Sequence, residues 1–531
     1  MEVQHFAMKK AVCLFLFLIV FLCLKCPEKK DNDVSQPKSL VYPFTGRNMF
    51  FGFNFLNADN VYALADFGIT YFPVQYRITW YNIEQEKGVY NWTSIDNDVM
   101  WHQSFDADSM IVFTSLWNAF GEKRQQIENK LAEIMVEQNM SLNDAWIYFH
   151  RDFNGIEQYD LNPDPNDPND ERLITLLEFT KLAVERFDGD GIDDAPGLVY
   201  PIKYWHLINE FPGPGHPPLF IAQIYKEMSA AIREADPEAK IVLPGLYTGP
   251  TGRIFAFADG YIQDEEAGVR NSIKYSRETV LQDTGLAWTK AGYEAILREA
   301  ADYFDVIDIH LYHEKETFLE GFLDYLMDIM AENGTSKPIT ISEGKHGPFK
   351  NPAGYVGPQG DNWFGPWTPA EHAEFVVKTN VMLAAKGVKR RQFGIGGGQG
   401  DGYWQGPWSV LGLIQKGTGI KNPAYYTFKL FIERAREFMN VQDVSPGGSI
   451  RVFRITTLAG TVYTAWDING ESEKYEPTDL SQVLSFQGEN VKITYIVTAL
   501  DVNNDPIEIP SETVLKTGVP TGLTPVFIEL N

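Results

Sequence analysis

Tyr204-Trp205-His206-Leu207-Ile208-Asn209-Glu210 is a short apolar run that closes on a carboxylate, and Pro338-Ile339-Thr340-Ile341-Ser342-Glu343-Gly344 repeats the arrangement. Both are too short for a typical helix and mostly continuous rather than alternating, as parallel strands buried on both faces are. Six further runs have this character, at 49–56, 68–77, 110–117, 240–246, 304–312 and 391–396. Helical patterns lie between them at 172–187, 219–235, 290–303, 318–333 and 369–386, each with one apolar face. Eightfold strand–helix alternation predicts an α/β fold, a (β/α)8 TIM barrel, over 46–438. The third and fourth strands are separated by a long stretch with a helical insertion near 122–146 and an acidic, Pro-rich loop at 160–170. From 439 to 531 the pattern changes to short alternating segments (450–456, 461–467, 491–497, 525–530), which predict a small C-terminal antiparallel β-sandwich.

The 531 residues carry 71 Asp+Glu against 45 Lys+Arg, a net charge of −26. That balance excludes nucleic acid as the main partner, because polyanions attract Lys/Arg-rich faces. A hydrophobic fraction of 44% excludes a disordered chain. All three cysteines (Cys13, Cys23, Cys26) fall in the first 26 residues, so no disulfide framework, thiolate metal site or cysteine nucleophile exists beyond them. The apolar run 11–24 follows Lys9-Lys10 and is shorter than the ~20 residues of a membrane span. Residues 1–26 therefore read as a signal peptide or anchor and 27–45 as a linker, so the chain is expected to be exported. Cleavage, lipidation and retention all stay open, and membrane contact is expected only through this segment.

In a barrel, reactive groups gather at the carboxyl ends of the strands. A carboxylate closing an apolar strand is costly unless paired or used. Glu210 closes the fourth run and Glu343 the seventh. Either one alone reads equally well as a salt-bridged strand end. Two that face each other across one mouth form the pair that glycosidic cleavage requires: an acid for the leaving oxygen and a carboxylate facing the anomeric carbon.

The Asn209-Glu210 pair ending strand four and Glu343 ending strand seven resemble clan A of the glycoside hydrolases, the retaining (β/α)8 enzymes, over roughly residues 46–430. The resemblance implies double displacement without a cofactor, with Glu210 as acid/base, Glu343 as nucleophile and Asn209 on the sugar 2-hydroxyl. Arg77, in Tyr76-Arg77-Ile78-Thr79-Trp80, matches the clan's second-strand Arg that helps keep the nucleophile ionised. The segment Glu84-Gln85-Glu86-Lys87-Gly88-Val89-Tyr90-Asn91-Trp92 through Asp96 is similar to one found in exo-acting β-glycosidases of the clan. Trp117 and Asn118 stand where the clan places sugar contacts. His310 and Tyr312 end strand six, where the clan often has a Tyr or His bonded to the nucleophile. Trp404 matches the aromatic floor of the sugar site. Two features depart from the pattern: Phe211 separates Glu210 from Pro212, and Trp404 lies beyond the Gly-rich loop 396–402.

Weaker signals surround this pattern. Asp188, Asp190, Asp193 and Asp194 offer oxygen ligands for a calcium ion, yet Ile192 stands where an EF-hand loop needs a third ligand, and a solvated acidic turn is the better reading. No His/Asp/Glu trio has a recognisable spacing, so no catalytic metal is expected. Lys345 reads equally as a substrate contact or a charge that tunes Glu343. The aromatic loop 351–367 either stacks on sugar or packs on itself. The expected function is hydrolysis of β-linked glycans or oligosaccharides with retention, leaning toward exo action. An endo-β-glycanase of mannanase or glucanase type is the alternative, and a non-catalytic carbohydrate-binding barrel is the reading from another class. The partner is a carbohydrate, and the sequence sets no oligomeric state.

Overall fold

The computed structural model describes residues 40–54, 60–137, 162–210, 218–247, 251–270, 273–312, 315–345, 368–394, 413–414, 419–501, 503–507 and 510–530. Among the described residues its centre is built from nine short parallel strands: β1 (Phe51–Asn54), β2 (Phe72–Ile78), β3 (Ala107–Phe113), β4 (Tyr204–His206), β5 (Lys240–Val242), β6 (Leu246–Tyr247), β7 (Ile307–Tyr312), β8 (Ile339–Lys345) and β9 (Arg390–Gly394). They form two sheets, ordered β2-β3-β4-β5 and β1-β9-β8-β7-β6. Each of the eight apolar runs contains strand. The run at 240–246 overlaps two, because β5 pairs with β4 while β6 pairs with β7 in the other sheet. The third strand begins at Ala107, three residues before the apolar run, since Asp108 and Ser109 are buried inside it. Asp108 is tolerated there because Arg390 at 2.5 Å and the Tyr42 hydroxyl at 2.7 Å meet its Oδ2.

Helices Pro218–Ala235, Thr284–Glu299, Glu316–Glu332 and Pro369–Ala385 connect successive parallel strands. The helix Glu171–Glu185, ahead of β4, buries Leu173, Leu176, Phe179, Thr180, Ala183 and Val184, the stripe expected of a 3.6-residue period. Asp170 starts it by accepting the Arg172 amide at 2.8 Å. Pro369–Ala385 starts on a capping box between Thr368 and Glu371, with Pro369 in the first turn. One contiguous core joins both parallel sheets to these helices. Each fully buried Leu, Ile or Phe in it contributes about 1.5–3 kcal/mol of transfer free energy.

From Asn440 the chain is antiparallel: β10 (Asn440–Asp443), β11 (Ile450–Thr457), β12 (Gly460–Asp467), β13 (Asn490–Tyr495), β14 (Ser511–Leu515) and β15 (Val526–Leu530) make a six-stranded sheet in the order β10-β11-β12-β15-β13-β14. A two-stranded ladder, Glu476–Thr478 with Val519–Thr521, lies beside it. The six-stranded sheet rests on the helices of the parallel part. Phe527 stacks on Phe431 at 6.2 Å, and Trp466 Nε1 donates to Glu316 Oε1 at 3.0 Å. Among the described residues no helix is long and apolar enough to cross a membrane.

Candidate active site

Of the candidate side chains, Glu210, Glu343, His310, Arg77 and Asn209 converge at the carboxyl ends of the parallel strands. Glu210 lies four residues beyond β4 and is fixed by the backbone: its residue bridges Gly245 in parallel, and the Gly245 amide donates to the Asn209 carbonyl at 3.2 Å. Glu343 lies within β8. The β7–β8 ladder pairs Asp308 with Thr340 but His310 with Glu343, so β8 gains one residue on β7 just before the glutamate. Such a bulge re-aims side chains. Here it lets the consecutive residues Ser342 and Glu343 meet Asp308 and His310, which lie two apart on one face of β7.

Glu343 is 6% exposed at its side chain and forms an ion pair with Arg77, whose own side chain is 51% exposed. Glu210 is 32% exposed. The fully buried His310 stands between the two: Nδ1 is 2.8 Å from Glu210 Oε1 and 3.5 Å from Glu343 Oε2. On its far side, Nε2 is 3.3 Å from Asp308 Oδ2. Burial disfavours a charged imidazole, but the charge of Glu343 and the bonds to Asp308 and Glu210 outweigh it and raise the His310 pKa well above the ordinary value. One ligand atom each of Glu210, His310 and Glu343 lies within 4.8 Å of the others. His310 Nδ1 is thus the atom that both carboxylates share. Gly245 leaves room for the ring, since a Cβ there would overlap His310.

Gln75 and Arg77, two apart on β2, share a face: Gln75 Nε2 donates to Asn209 Oδ1 at 3.3 Å while Arg77 reaches Glu343. Asn118 donates to the Glu84 carbonyl at 2.9 Å and accepts the Ala119 amide at 2.8 Å. Trp117 falls past the end of β3, 4% exposed, with its ring edge-on to Tyr81 at 5.5 Å. In the segment 84–96, Trp92 stacks on Phe179 at 5.7 Å and Asp96 pairs with Arg186. Tyr312 closes β7, and Trp404 lies outside the described residues. Tyr247, Gln75, Asp308 and Ser342 are additional members. Tyr247 bonds Glu210, and burial pushes its hydroxyl well above the ordinary range, reinforced by the charges of Glu210 and Glu343. Asp308 precedes His310 by two, so period-2 spacing is the signal that marks it, whereas Tyr247 lies one residue past the fifth run and no sequence signal marks it.

Two other features lie apart from this cluster. Asp188, Asp190 and Asp194 bring carboxylate oxygens within 4.8 Å of one another, while Asp193, at a φ of 49°, is outside the group. Asp194 already accepts the Gly189 and Gly191 amides at 3.0 and 2.8 Å. A cavity of about 1310 Å³ opens at the amino ends of the strands, lined by Phe50, Tyr204, Lys240 and Arg390 among others, opposite the carboxylate end.

The sequence matches no protein-family model and no curated protein. Solved structures are similar. A family 39 glycoside hydrolase from the gut symbiont Bacteroides cellulosilyticus WH2 superposes at TM-score 0.52 with 14% identity, over 91% of this chain and 81% of that one. BuGH86wt in complex with neoagarooctaose superposes at TM-score 0.52 with 11% identity, over 94% of this chain and 78% of that one. AbfB, a family 51 α-L-arabinofuranosidase from Bifidobacterium longum, is similar at TM-score 0.48 and 13% identity, over 94% and 98% of the two chains. The fold is one found among glycoside hydrolases, in agreement with the resemblance to clan A read from the sequence, with no single family of the clan singled out.

Proposed function

We propose that the chain is a retaining glycoside hydrolase acting on β-linked glycans or oligosaccharides, with Glu343 as nucleophile and Glu210 as acid/base. One observation carries this reading: oxygens of Glu210 and Glu343 lie within 4.8 Å of each other, and Arg77 is paired with Glu343. Retention needs the two carboxyl groups ~5–5.5 Å apart, and the approach of one oxygen of each to within 4.8 Å is compatible with that spacing. Arg77 favours the ionised form of Glu343, as a nucleophile requires. The more exposed Glu210 is open to the leaving oxygen.

The same reading treats the two parallel sheets as arcs of one (β/α)8 barrel. Val242 bridges Val306 in parallel where β5 meets the lead into β7, and Gly52 of β1 lies against the Pro73 carbonyl of β2. Export follows from the apolar run 11–24 after Lys9-Lys10. The similarity of the segment 84–96 to one in exo-acting β-glycosidases favours exo action.

The test is hydrolysis of a panel of aryl β-glycosides and β-linked polysaccharides, with the anomer of the first product followed by NMR. We expect a β-configured product. Glu343→Ala should lose about 10⁴-fold or more of kcat, the scale of removing a nucleophile from a covalent mechanism. Glu210→Ala should lose about 10²–10⁴-fold, the contribution of a general acid/base. Cleavage within polysaccharides that spares short glycosides would establish endo action. Binding without cleavage of any panel member would leave the non-catalytic reading standing.

A further inference from the structure

Asp308 is fully buried beneath the two glutamates, two residues before His310 on β7, so both side chains leave the same face of the strand. Its Oδ1 accepts the Ser342 amide at 2.8 Å, and its Oδ2 accepts the Ser342 hydroxyl and lies 3.3 Å from His310 Nε2. The other ring nitrogen faces Glu210 and Glu343. Carboxylate oxygens thus face both nitrogens, and a ring that satisfies them all carries a proton on each.

We propose that Asp308 is a positioning residue that holds His310 as an imidazolium, whose Nδ1–H serves whichever of Glu343 and Glu210 bears the negative charge as the reaction proceeds. The inference rests on the hydrolase reading above. Before reaction, Glu343 is the carboxylate and Glu210 carries a proton. When a Glu343 oxygen bonds to the anomeric carbon, the bond from that carbon to the leaving oxygen breaks, and that oxygen takes the Glu210 proton. The negative charge has then passed from Glu343 to Glu210. Water attacks the anomeric carbon, gives a proton to Glu210 and releases Glu343, which returns the charge. The His310 protons stay on the ring throughout. One buried donor faces both positions of the charge, whereas the ion pair of Arg77 is with Glu343.

The groups around the ring agree with this role. Asp308 lies on its own strand, Ser342 and Glu343 on β8, Glu210 and His206 on the β4 side, and the Tyr247 ring of β6 at 6.2 Å. Burial holds His206 down at about 4, so it is neutral and adds no second cation beside His310 at neutral pH.

Asp308→Asn tests the proposal, because the amide keeps an acceptor for Ser342 and removes the charge behind His310. Wild-type activity on the glycoside panel is measured first. With an active chain, the variant should lose about 10- to 100-fold in kcat at unchanged KM, the scale seen when a buried group that orients a site residue is removed. The alkaline limb of its pH profile should also move to lower pH, since loss of a neighbouring anion makes the imidazolium easier to deprotonate. Independently of turnover, ¹⁵N NMR of the histidine rings, with His310 assigned by its loss in His310→Gln, should show both nitrogens protonated at neutral pH. Wild-type kcat and pH profile in Asp308→Asn would overturn the proposal. So would a His310 that sheds a proton near the ordinary value of about 6.5. That spectrum decides alone where the variant does not fold. A chain inactive on every glycoside overturns the hydrolase reading and this inference with it; an active chain with a singly protonated His310 overturns the inference only.

Discussion

Arg77 reaches Glu343 only because it lies on the same face of β2 as Gln75, which is bonded to Asn209. A hydrogen bond to a charged group contributes about 1.5–3 kcal/mol, and the half-exposed guanidinium puts this pair toward the low end through solvent screening. Arg77→Met should therefore lower kcat by about 10-fold or more while the melting temperature stays close to wild type. Arg77→Lys should recover only part of the activity, because the ammonium keeps the charge without the planar fork. Steady-state kinetics with thermal melts on the same preparations check this; full activity in the Met variant would remove Arg77 from the mechanism. Glu210 and Glu343 were legible in the sequence because a carboxylate at the end of an apolar strand is conspicuous. Tyr247 was not, because its role depends on a short strand that leaves one sheet for the other.

The bulge between β7 and β8 acts at the scale of the element. A regular ladder would send Ser342 and Glu343 to opposite faces, and the extra residue is what turns both toward Asp308 and His310. The turn at 188–194 offers a second element-scale prediction. Burial, with the charges of Asp190, Glu185 and Asp194 adding to it, pushes Asp188 up to about 7 from its usual 3.8. The folded chain then binds a proton that the unfolded chain has released, so this contribution to stability is complete below about 4 and is lost as pH rises through about 7. Asp188→Asn keeps an acceptor for the Asp190 amide and removes the titration. Its melting temperature should match wild type near pH 4 and exceed it increasingly toward pH 8. Melting curves that run parallel across that window would refute the assignment.

Across the whole molecule, the antiparallel sheet and the helices of the parallel part share buried groups. Glu374, within Pro369–Ala385, accepts hydrogen bonds from Ser472 and Thr524, and Arg451 meets Glu320 at 3.1 Å. The Phe431–Phe527 stack closes the same boundary. Removing a buried aromatic costs about 3–5 kcal/mol through lost transfer energy and an unfilled cavity. Phe527→Ala should thus lower one common melting transition, read by calorimetry, rather than release a separate early one. Two resolved transitions in the wild type would show that the regions unfold independently. The likeness to the family 39 enzyme at 14% identity has the same basis: a core is specified by apolar pattern and volume more than by residue identity.

The sequence by itself determined where the buried strands lie and which carboxylates end them, because a parallel strand covered on both faces must be apolar and any charge at its end stands out. It did not determine that Asp308, His310 and Ser342 form one buried network, nor that Trp117 packs against Tyr81. Those contacts depend on a one-residue register shift between β7 and β8 and on a third strand whose start is hidden by Asp108 and Ser109. Register and long-range pairing leave no trace in local composition, so only the tertiary structure decided them.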